Sequence, residues 1–248
     1  MYEDLAGKRV VVTGGASGIG LAAAKRFADE EARVAVIDRD QKALENVMGS
    51  GFGIEEGLQA DVSVEEDVVS AFKTLDERFG GVDVLVSNAG ISVRSPFTDI
   101  DYGQWNRVLG INLGGMFLCS REAAGRMKKQ GGGVILMTAS TNGMEGHPFY
   151  TDYNSSKAGV ILLGKTMALE FAPVIRVNTV SPGYVLTPMQ KAEYTPEMLE
   201  KVNENIPMKR HAQPEEVAAL FAFLASSQAS YITGANIPID GAETAGLQ

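Results

Sequence analysis

Short runs of β-branched and other apolar residues alternate with longer amphipathic stretches along the whole of this 248-residue chain. The predicted strands are 9–13, 33–38, 57–61, 84–88, 133–138, 176–181 and 236–239. The predicted helices are 19–30, 41–48, 64–79, 105–129, 153–171 and 214–225. Most strand runs are continuously apolar, which is typical of parallel strands buried on both faces. The alternation therefore predicts an α/β fold, a doubly wound parallel sheet of about seven strands with helices on both faces.

The domain organisation follows from what interrupts this alternation. Because no linker, composition break or internal repeat divides the chain, residues 1–248 are predicted to form one domain. One long segment, 187–210, lies between predicted sheet elements, and its prolines bracket a short helical piece at about 196–202. A segment that follows the carboxyl end of a strand can cover the ligand crevice of such a sheet, so 187–210 is predicted to be a lid. A solvated surface excursion is the alternative.

Charge and cysteine content narrow the possible functions and locations. The chain has 22 basic and 31 acidic residues, a net charge of −9, which disfavours nucleic acids and acidic membrane surfaces as partners. Cys119 is the only cysteine, so no internal disulfide can form and no metal site is expected. The first eight residues lack the apolar segment of a secretory signal, and the longest uncharged stretch, 217–239, is too polar to span a membrane. We expect a cytoplasmic protein.

A glycine-rich turn follows the first predicted strand and leads into the first predicted helix. Residues 13–20 read Thr-Gly-Gly-Ala-Ser-Gly-Ile-Gly, a Gly-x₃-Gly-x-Gly spacing. Glycines in such a turn allow backbone N–H groups to approach a diphosphate at a helix N-terminus. The turn therefore predicts a dinucleotide site, contacted by Gly14, Ser17, Gly18, Ile19 and Gly20. An ordinary strand-to-helix turn is the alternative.

Acidic residues close the second and third predicted strands. Asp38 can accept both hydrogen bonds from an adenosine ribose and would repel a 2′-phosphate, so NAD is predicted as the cofactor over NADP. The neighbouring Arg39 could pair with that phosphate, which keeps NADP open, and Asp38 could also cap the following helix. Asp61 and Val62 are predicted to meet the adenine through a carboxylate acceptor and ring packing, although turn chemistry accounts for both equally well.

Three polar residues lie where the chemistry of such a sheet is expected. Tyr153 and Lys157 are four residues apart near the start of a predicted helix, so they share one helix face. Ser140 follows the fifth predicted strand, at the carboxyl edge where ligands of open α/β sheets bind. Taken singly, each has an ordinary structural explanation. Tyr153 could be an aromatic residue at an interface, Lys157 a solvated charge on a helix, and Ser140 a helix cap.

In combination, the chain resembles the short-chain dehydrogenase/reductase family in its classical single-domain form. The matching positions run over nearly the whole chain and are 13–20, Asp61, Asn88, Ala89, Gly90, Asn112, Ser140, Tyr153, Lys157, Pro182 and Gly183. The resemblance implies a Rossmann-type fold and reversible hydride transfer between a nicotinamide and an alcohol or carbonyl.

The resemblance also implies catalytic roles for four residues. Tyr153 would exchange a proton with the substrate oxygen, and Lys157 would lower the pKa of that tyrosine and hold the nicotinamide ribose. Ser140 would hydrogen-bond the reacting oxygen, and Asn112 would position a water in a proton relay from Lys157. No metal is required by this chemistry.

Further cofactor contacts are implied at two strand ends. Asn88, Ala89 and Gly90 match a motif beside the cofactor, in which Asn88 is structural and Gly90 allows close backbone approach. The segment that would bind the nicotinamide amide contributes Pro182, Gly183, Val185 and Thr187.

Substrate contacts are predicted from where the loops fall. The candidates are Asn142, Glu145, His147 and Tyr184, which lie near Ser140, Tyr153 and the start of the lid. Glu145 and His147 suit several hydroxyls, which favours a sugar, a polyol or another hydroxylated small molecule. These groups could equally be ordinary loop surface, and His147 could instead tune the pH response.

Two other functions compete with this interpretation. A 3-oxoacyl thioester (acyl-carrier-protein) reductase of the same family is disfavoured by Asp38, because such reductions usually draw on NADPH. A non-catalytic dinucleotide-binding sensor is disfavoured because Ser140, Tyr153 and Lys157 are all retained.

The predicted helices 105–129 and 153–171 carry more apolar side chains than one face would use, and the resemblance implies that they pair between subunits of a homotetramer.

Overall fold

The computed structural model describes residues 1–246, and its strands form a single parallel sheet. The seven strands are β1 (Arg9–Thr13), β2 (Arg33–Asp38), β3 (Ile54–Gln59), β4 (Val84–Ser87), β5 (Gly133–Thr138), β6 (Ile175–Pro182) and β7 (Asn236–Ile239). Their order across the sheet is β3-β2-β1-β4-β5-β6-β7, with every pair parallel. The predicted fold class is confirmed. The strand order reverses between β1 and β4, and a ligand crevice is expected at the carboxyl ends of these two strands.

Helices cover both faces of the sheet. The nine α-helices within residues 1–246 are α1 (Gly18–Asp29), α2 (Gln41–Met48), α3 (Glu65–Arg78), α4 (Tyr102–Leu109), α5 (Gly115–Gln130), α6 (Thr151–Phe171), α7 (Pro188–Glu193), α8 (Pro196–Asn205) and α9 (Pro214–Ala225). The core of one face packs α1, α2 and α9 against Val10 and Val12, and the core of the other packs α3, α5 and α6 against Val11. Because neighbouring strand residues point to opposite faces, one apolar strand contributes to both cores. No helix among the described residues is both long enough and apolar enough to cross a membrane.

The third strand differs from its prediction. The prediction is 57–61, and the strand is observed at Ile54–Gln59, so it begins three residues earlier and ends two residues earlier. β3 lies at the edge of the sheet and pairs only with β2, where the register shifts between Val34 and Ala35. Edge strands tolerate charged side chains such as Glu55 and Glu56, so an apolar run does not mark them.

The long helix predicted at 105–129 is also different. The structure has α4 from Tyr102, a π-helical turn over Gly110–Gly114 and then α5 as far as Gln130. The turn contains Asn112 and interrupts the regular i to i−4 hydrogen bonds, and such turns occur frequently at functional sites.

The segment 187–210 contains more regular structure than the sequence predicts. One helical piece was expected at about 196–202, whereas α8 runs from Pro196 to Asn205 and α7 precedes it. Thr187 caps α7, because its hydroxyl oxygen accepts the N–H of Gln190 at 3.2 Å. Pro188 and Pro196 are the first residues of α7 and α8, a position that favours proline.

Candidate active site

A cavity of about 360 Å³ opens at the carboxyl edge of the sheet, where the strand order reverses. The predicted cofactor residues that line it are Gly14, Ser17, Gly18, Ile19, Asp38, Arg39, Asp61, Val62, Asn88, Ala89, Gly90, Tyr153, Lys157 and Thr187. Gly20, Pro182, Gly183 and Val185 are not lining residues. The cavity reaches from two carboxylates at one end, past the glycine turn, to a phenol and an amine at the other. An elongated site with these groups fits a dinucleotide.

The glycine turn is shaped by close backbone packing. Gly14 has φ +63°, and a Cβ atom at this position would lie 2.9 Å from the Cα of Ala89. A Cβ atom at Gly20 would lie 2.0 Å from the carbonyl oxygen of Gly14. Both distances are shorter than a side chain permits, so the turn brings the start of α1 against β1 and the end of β4 only because these residues are glycines.

A hydrogen-bond network joins the ends of three strands behind the cavity. The hydroxyl oxygen of Thr13 accepts the N–H groups of Asn88 at 2.9 Å and Ala89 at 3.1 Å. The Asn88 amide donates to the carbonyl oxygens of Thr13 and Gly14, and its Oδ1 accepts the Thr138 hydroxyl at 3.0 Å. The structural role proposed for Asn88 fits these contacts. Sequence reasoning included Thr13 in the glycine-rich motif without this role and missed Thr138, although each is a polar residue that ends an otherwise apolar strand.

Asp38 is held by the backbone on both of its oxygens. Oδ2 accepts the N–H of Ala16 in the glycine turn and Oδ1 accepts the N–H of Asp40, each at 3.1 Å. The side chain therefore has a fixed orientation at the rim of the cavity. The cap of α2 is Asp40, whose Oδ1 accepts the N–H of Ala43 at 3.0 Å, so the capping alternative for Asp38 is wrong. Arg39 is exposed beside it.

Asp61 has both a turn role and a position in the cavity. Its Oδ1 accepts the hydroxyl of Ser63 at 2.6 Å and the backbone N–H of the same residue at 2.9 Å. The Ser63 hydroxyl is the main cause that lowers the pKa of the Asp61 carboxyl, and the guanidinium of Arg39 adds to it. The carboxylate thus carries a charge at the cavity wall in addition to shaping the turn.

Tyr153 and Lys157 line the other end of the cavity, and Ser140, which is not a lining residue, is hydrogen-bonded to Tyr153. The Lys157 Nζ lies 5.6 Å from the centre of the Tyr153 ring and donates to the carbonyl oxygen of Thr138 at 2.8 Å. Burial raises the pKa of Tyr153 to about 12, although its hydrogen bond with the Ser140 hydroxyl opposes the rise. Burial also lowers the pKa of Lys157 to about 7. In the protein by itself, removal from water outweighs the favourable contacts of Tyr153, and the lowered tyrosine pKa that the resemblance implies stays a prediction for the enzyme with its nicotinamide bound.

Asn112 lies in the π-helical turn and clamps a loop that lines the cavity. Its Oδ1 accepts the N–H of Ile91 at 2.8 Å, while its Nδ2 donates to the carbonyl oxygen of Ile91 at 2.9 Å and to the Ser156 hydroxyl at 3.1 Å. The side chain is fully buried. Sequence reasoning missed Ile91, and no local signal marks it, because the contact joins residues 21 positions apart.

The segment after β6 reaches the cavity through Thr187, while Val185 lies deeper. Val185 is buried, and its carbonyl oxygen accepts the N–H of Thr187 at 2.8 Å. A Cβ atom at Gly183 would lie 2.9 Å from the Cβ and 3.0 Å from the Cα of Asp240. Gly183 is therefore needed by the C-terminal turn that packs on it.

The four predicted substrate residues lie in two loops: Asn142, Glu145 and His147 follow β5, and Tyr184 follows β6. Asn142 donates its N–H to Ser140 Oγ at 3.1 Å and its side-chain amide to Asn154 at 2.8 Å. The half-buried Tyr184 packs edge-on against His211, with ring centres 5.8 Å apart. Glu145 is exposed.

His147 is half-buried beside these residues. Burial lowers the pKa of its imidazole, and the Glu145 carboxylate opposes that shift. Its Nε2 is buried and has no hydrogen-bond partner among residues 1–246.

Sequence reasoning missed a polar cluster where the lid meets α6. The Tyr150 hydroxyl donates to Glu193 Oε2 at 3.0 Å and lies 3.3 Å from the Tyr194 hydroxyl. The rings of Tyr150 and Tyr153 pack edge-on with centres 6.3 Å apart. These residues meet only because the segment 187–210 packs against the start of α6, so no local sequence pattern predicts the cluster. Within residues 1–246, no group of three or more His, Cys, Asp or Glu side chains is arranged to hold a metal.

Comparison with known proteins identifies relatives over the full length of the chain. A family model described as enoyl-(acyl carrier protein) reductase matches residues 14–242. 3beta-Hydroxysteroid dehydrogenase 1 of Eggerthella lenta is 41% identical over 251 aligned positions, which cover 98% of this chain and 96% of that protein. Meso-2,3-butanediol dehydrogenase of Serratia marcescens is 38% identical over 240 positions, covering 96% and 95%. The chain belongs to the short-chain dehydrogenase/reductase family.

A solved structure agrees with this assignment. A short-chain type dehydrogenase/reductase from Mycobacterium marinum superposes with a TM-score of 0.92 at 36% identity, covering 98% of this chain and 97% of that one. This short-chain dehydrogenase/reductase is an NAD(P)-dependent enzyme that interconverts a secondary alcohol and a ketone. The acyl-carrier-protein reductase alternative is not favoured over that activity by these relatives.

Proposed function

We propose that the enzyme uses NAD to interconvert a secondary alcohol and its ketone on a sugar, polyol or other hydroxylated small molecule. The observation that carries this proposal is one cavity lined by Asp38, by the glycine turn and by Tyr153 and Lys157, with Ser140 hydrogen-bonded to Tyr153. This set of groups suits a dinucleotide, whose nicotinamide accepts or delivers the hydride when it is bound.

The protein's own part in this chemistry is to move a proton at the Tyr153 hydroxyl. Burial opposes the tyrosinate and the Lys157 ammonium when each is considered alone. The tyrosinate and the ammonium have opposite charge, and Lys157 Nζ lies 5.6 Å from the centre of the Tyr153 ring, so each charged form would stabilise the other. Ser140, hydrogen-bonded to Tyr153, is placed to donate to the same substrate oxygen and to stabilise the charge that develops there.

Asn112 has a different position from the other three catalytic candidates. Its Oδ1 and Nδ2 are hydrogen-bonded to Ile91 and Ser156, which supports a role in holding the cavity wall. The water relay from Lys157 that the resemblance implies stays a prediction.

NAD is favoured over NADP by the fixed carboxylate at Asp38. Both oxygens are oriented by backbone N–H groups and retain lone pairs that can accept ribose hydroxyls. A 2′-phosphate placed there would meet a like charge. The exposed Arg39 is the group that would favour NADP.

The substrate class is supported by the polar groups around Tyr153. Tyr150, Tyr184, Glu193 and Tyr194 offer hydroxyls and a carboxylate close to the reacting phenol. The two relatives named above carry the names of a hydroxysteroid and a diol dehydrogenase, both with secondary alcohols. Carboxylates at the site disfavour an acidic acyl-carrier partner through like-charge repulsion.

Replacing Tyr153 by Phe tests the proposal against the silent-sensor alternative. We expect turnover of butane-2,3-diol or cyclohexanol, followed by NADH absorbance, to fall about 10²–10⁴-fold because the proton has no acceptor. NADH binding, followed by fluorescence, should change less than about threefold. Tyr231→Phe is the matched control, because this tyrosine is fully exposed. Unchanged turnover in Tyr153→Phe would contradict the mechanism.

We also propose that the enzyme is a homotetramer and that it is located in the cytoplasm. α5 and α6 expose large apolar side chains, with Phe117 47%, Leu162 66% and Leu169 85% exposed, which supports pairing of these helices between subunits. The single buried, unpaired cysteine fits a reducing compartment. Light scattering of the purified protein tests the assembly, and a monomer would contradict it.

A further inference from the structure

The inner face of α7 carries two buried polar atoms without partners. Gln190 and Glu193 are three residues apart, so they share a side of this short helix, and they are its only two half-buried residues. Gln190 Nε2 and Glu193 Oε1 are both shielded from solvent and have no hydrogen-bond partner within residues 1–246. Buried polar groups in native proteins are nearly always satisfied, so a donor and an acceptor left open on one face indicate a missing ligand.

This face lies over the reacting phenol. The other oxygen of Glu193, Oε2, accepts the hydroxyl of Tyr150 at 3.0 Å, and the Tyr150 ring packs edge-on against Tyr153. The negative charge of Glu193 contributes to the raised pKa of Tyr153, which requires the two groups to be close. Glu193 therefore lies near the substrate side of the site, and Gln190 shares its side of α7 through the helical spacing.

A hydroxyl group matches this pair chemically. It can donate its proton to a carboxylate oxygen and accept a hydrogen bond from an amide N–H. A carboxylate ligand would be repelled by Glu193, and an apolar ligand would leave both atoms unsatisfied.

We propose that Gln190 and Glu193 form a specificity-determining subsite that binds a second hydroxyl of the substrate, separate from the carbinol that reacts at Tyr153. This inference rests on the proposed alcohol oxidation and narrows its substrates to diols and other polyhydroxylated molecules. The lid thereby selects the substrate as well as covering it.

The test compares kcat/KM for cyclohexanol with that for 1,2-, 1,3- and 1,4-cyclohexanediol, using NADH absorbance. The variants are Glu193→Gln, which removes the charge and keeps an acceptor for Tyr150, and Gln190→Met, which removes the amide at similar size. Lys191→Gln is the control, because this residue is exposed on the same helix. Any shift in the pKa of Tyr153 affects all four substrates alike and cancels in the ratio.

We expect the wild type to prefer at least one diol over cyclohexanol by about tenfold, mainly through KM. Glu193→Gln should reduce that preference about tenfold and Gln190→Met about threefold, while Lys191→Gln leaves it unchanged. A preference that survives Glu193→Gln, or equal losses on cyclohexanol and the diols, overturns the subsite. A wild type that oxidises cyclohexanol and prefers no diol overturns the subsite but not the proposed function. If the wild type oxidises none of the four, both fail.

Discussion

Replacing Asp38 by Asn tests how the protein chooses its nicotinamide cofactor. The carboxylate lies at the rim of the cavity and accepts the N–H groups of Ala16 and Asp40, one on each oxygen, at 3.1 Å. The amide that replaces it keeps one acceptor oxygen and a similar shape. The amide NH2 group cannot accept an N–H, so the substitution removes the charge and one of the two hydrogen bonds to the loop.

The size of the effect follows from Coulomb's law and from the strength of charged hydrogen bonds. Two unit charges about 4 Å apart interact by about 4 kcal/mol at an effective dielectric constant of about 20. Because Asp38 is only half-buried, solvent and salt reduce the repulsion of a 2′-phosphate to about 2 kcal/mol, or about thirtyfold in NADPH affinity. Weaker hydrogen bonds to the ribose should lower NADH affinity about tenfold.

The assay is nicotinamide fluorescence with NADH and NADPH, from which a Kd is obtained for each. We expect the ratio of the two Kd values to move toward NADPH by about 300-fold in Asp38→Asn, the product of these two factors. Asp29→Asn, an exposed acidic residue at the end of α1, is the control and should leave the ratio unchanged. If Asp38→Asn weakens the binding of NADH and NADPH equally, Asp38 supports the loop and does not discriminate between the two cofactors.

Three further predictions concern stability and reactivity. Asn112→Ala leaves both backbone groups of Ile91 without their partners, so the free energy of unfolding in urea should fall by about 2–4 kcal/mol. The exposed Asn106→Ala should change it by less than about 0.5 kcal/mol, and equal losses would contradict the clamp. Burial lowers the pKa of Lys157 to about 7, so between about pH 7 and 10.5 the unfolded state binds the proton that the folded state has lost. The free energy of unfolding of the cofactor-free wild type should therefore rise with pH between 7 and 9 more steeply than that of Lys157→Met, and parallel curves would refute the shift. Burial raises the pKa of the Cys119 thiol to about 12, so a disulfide reagent should label it in urea and far more slowly in the native protein. Rapid native labelling would show that Cys119 is accessible.

The sheet and the location of the site could be predicted because they depend on short-range patterns. Strands such as Val10–Val12 of β1 read as apolar runs because both of their faces are buried. Parallel strands place all their carboxyl ends on one edge, so Ser140 and Asp38 were expected there before any contact was known. Tyr153 and Lys157 share a face through helical spacing alone.

The tertiary structure decided features that join distant parts of the chain. The π-helical turn at Asn112 satisfies the backbone of Ile91, and apolar periodicity does not encode such a partner. Gly183 is required by the close approach of Asp240, and Glu193 reaches Tyr150 only when α7 packs on the body. The pKa values of Tyr153 and Lys157 depend on removal from water, which no neighbour in sequence produces. Spacing along a chain determines which side chains share one element, whereas burial and contact between elements arise only from the packed fold.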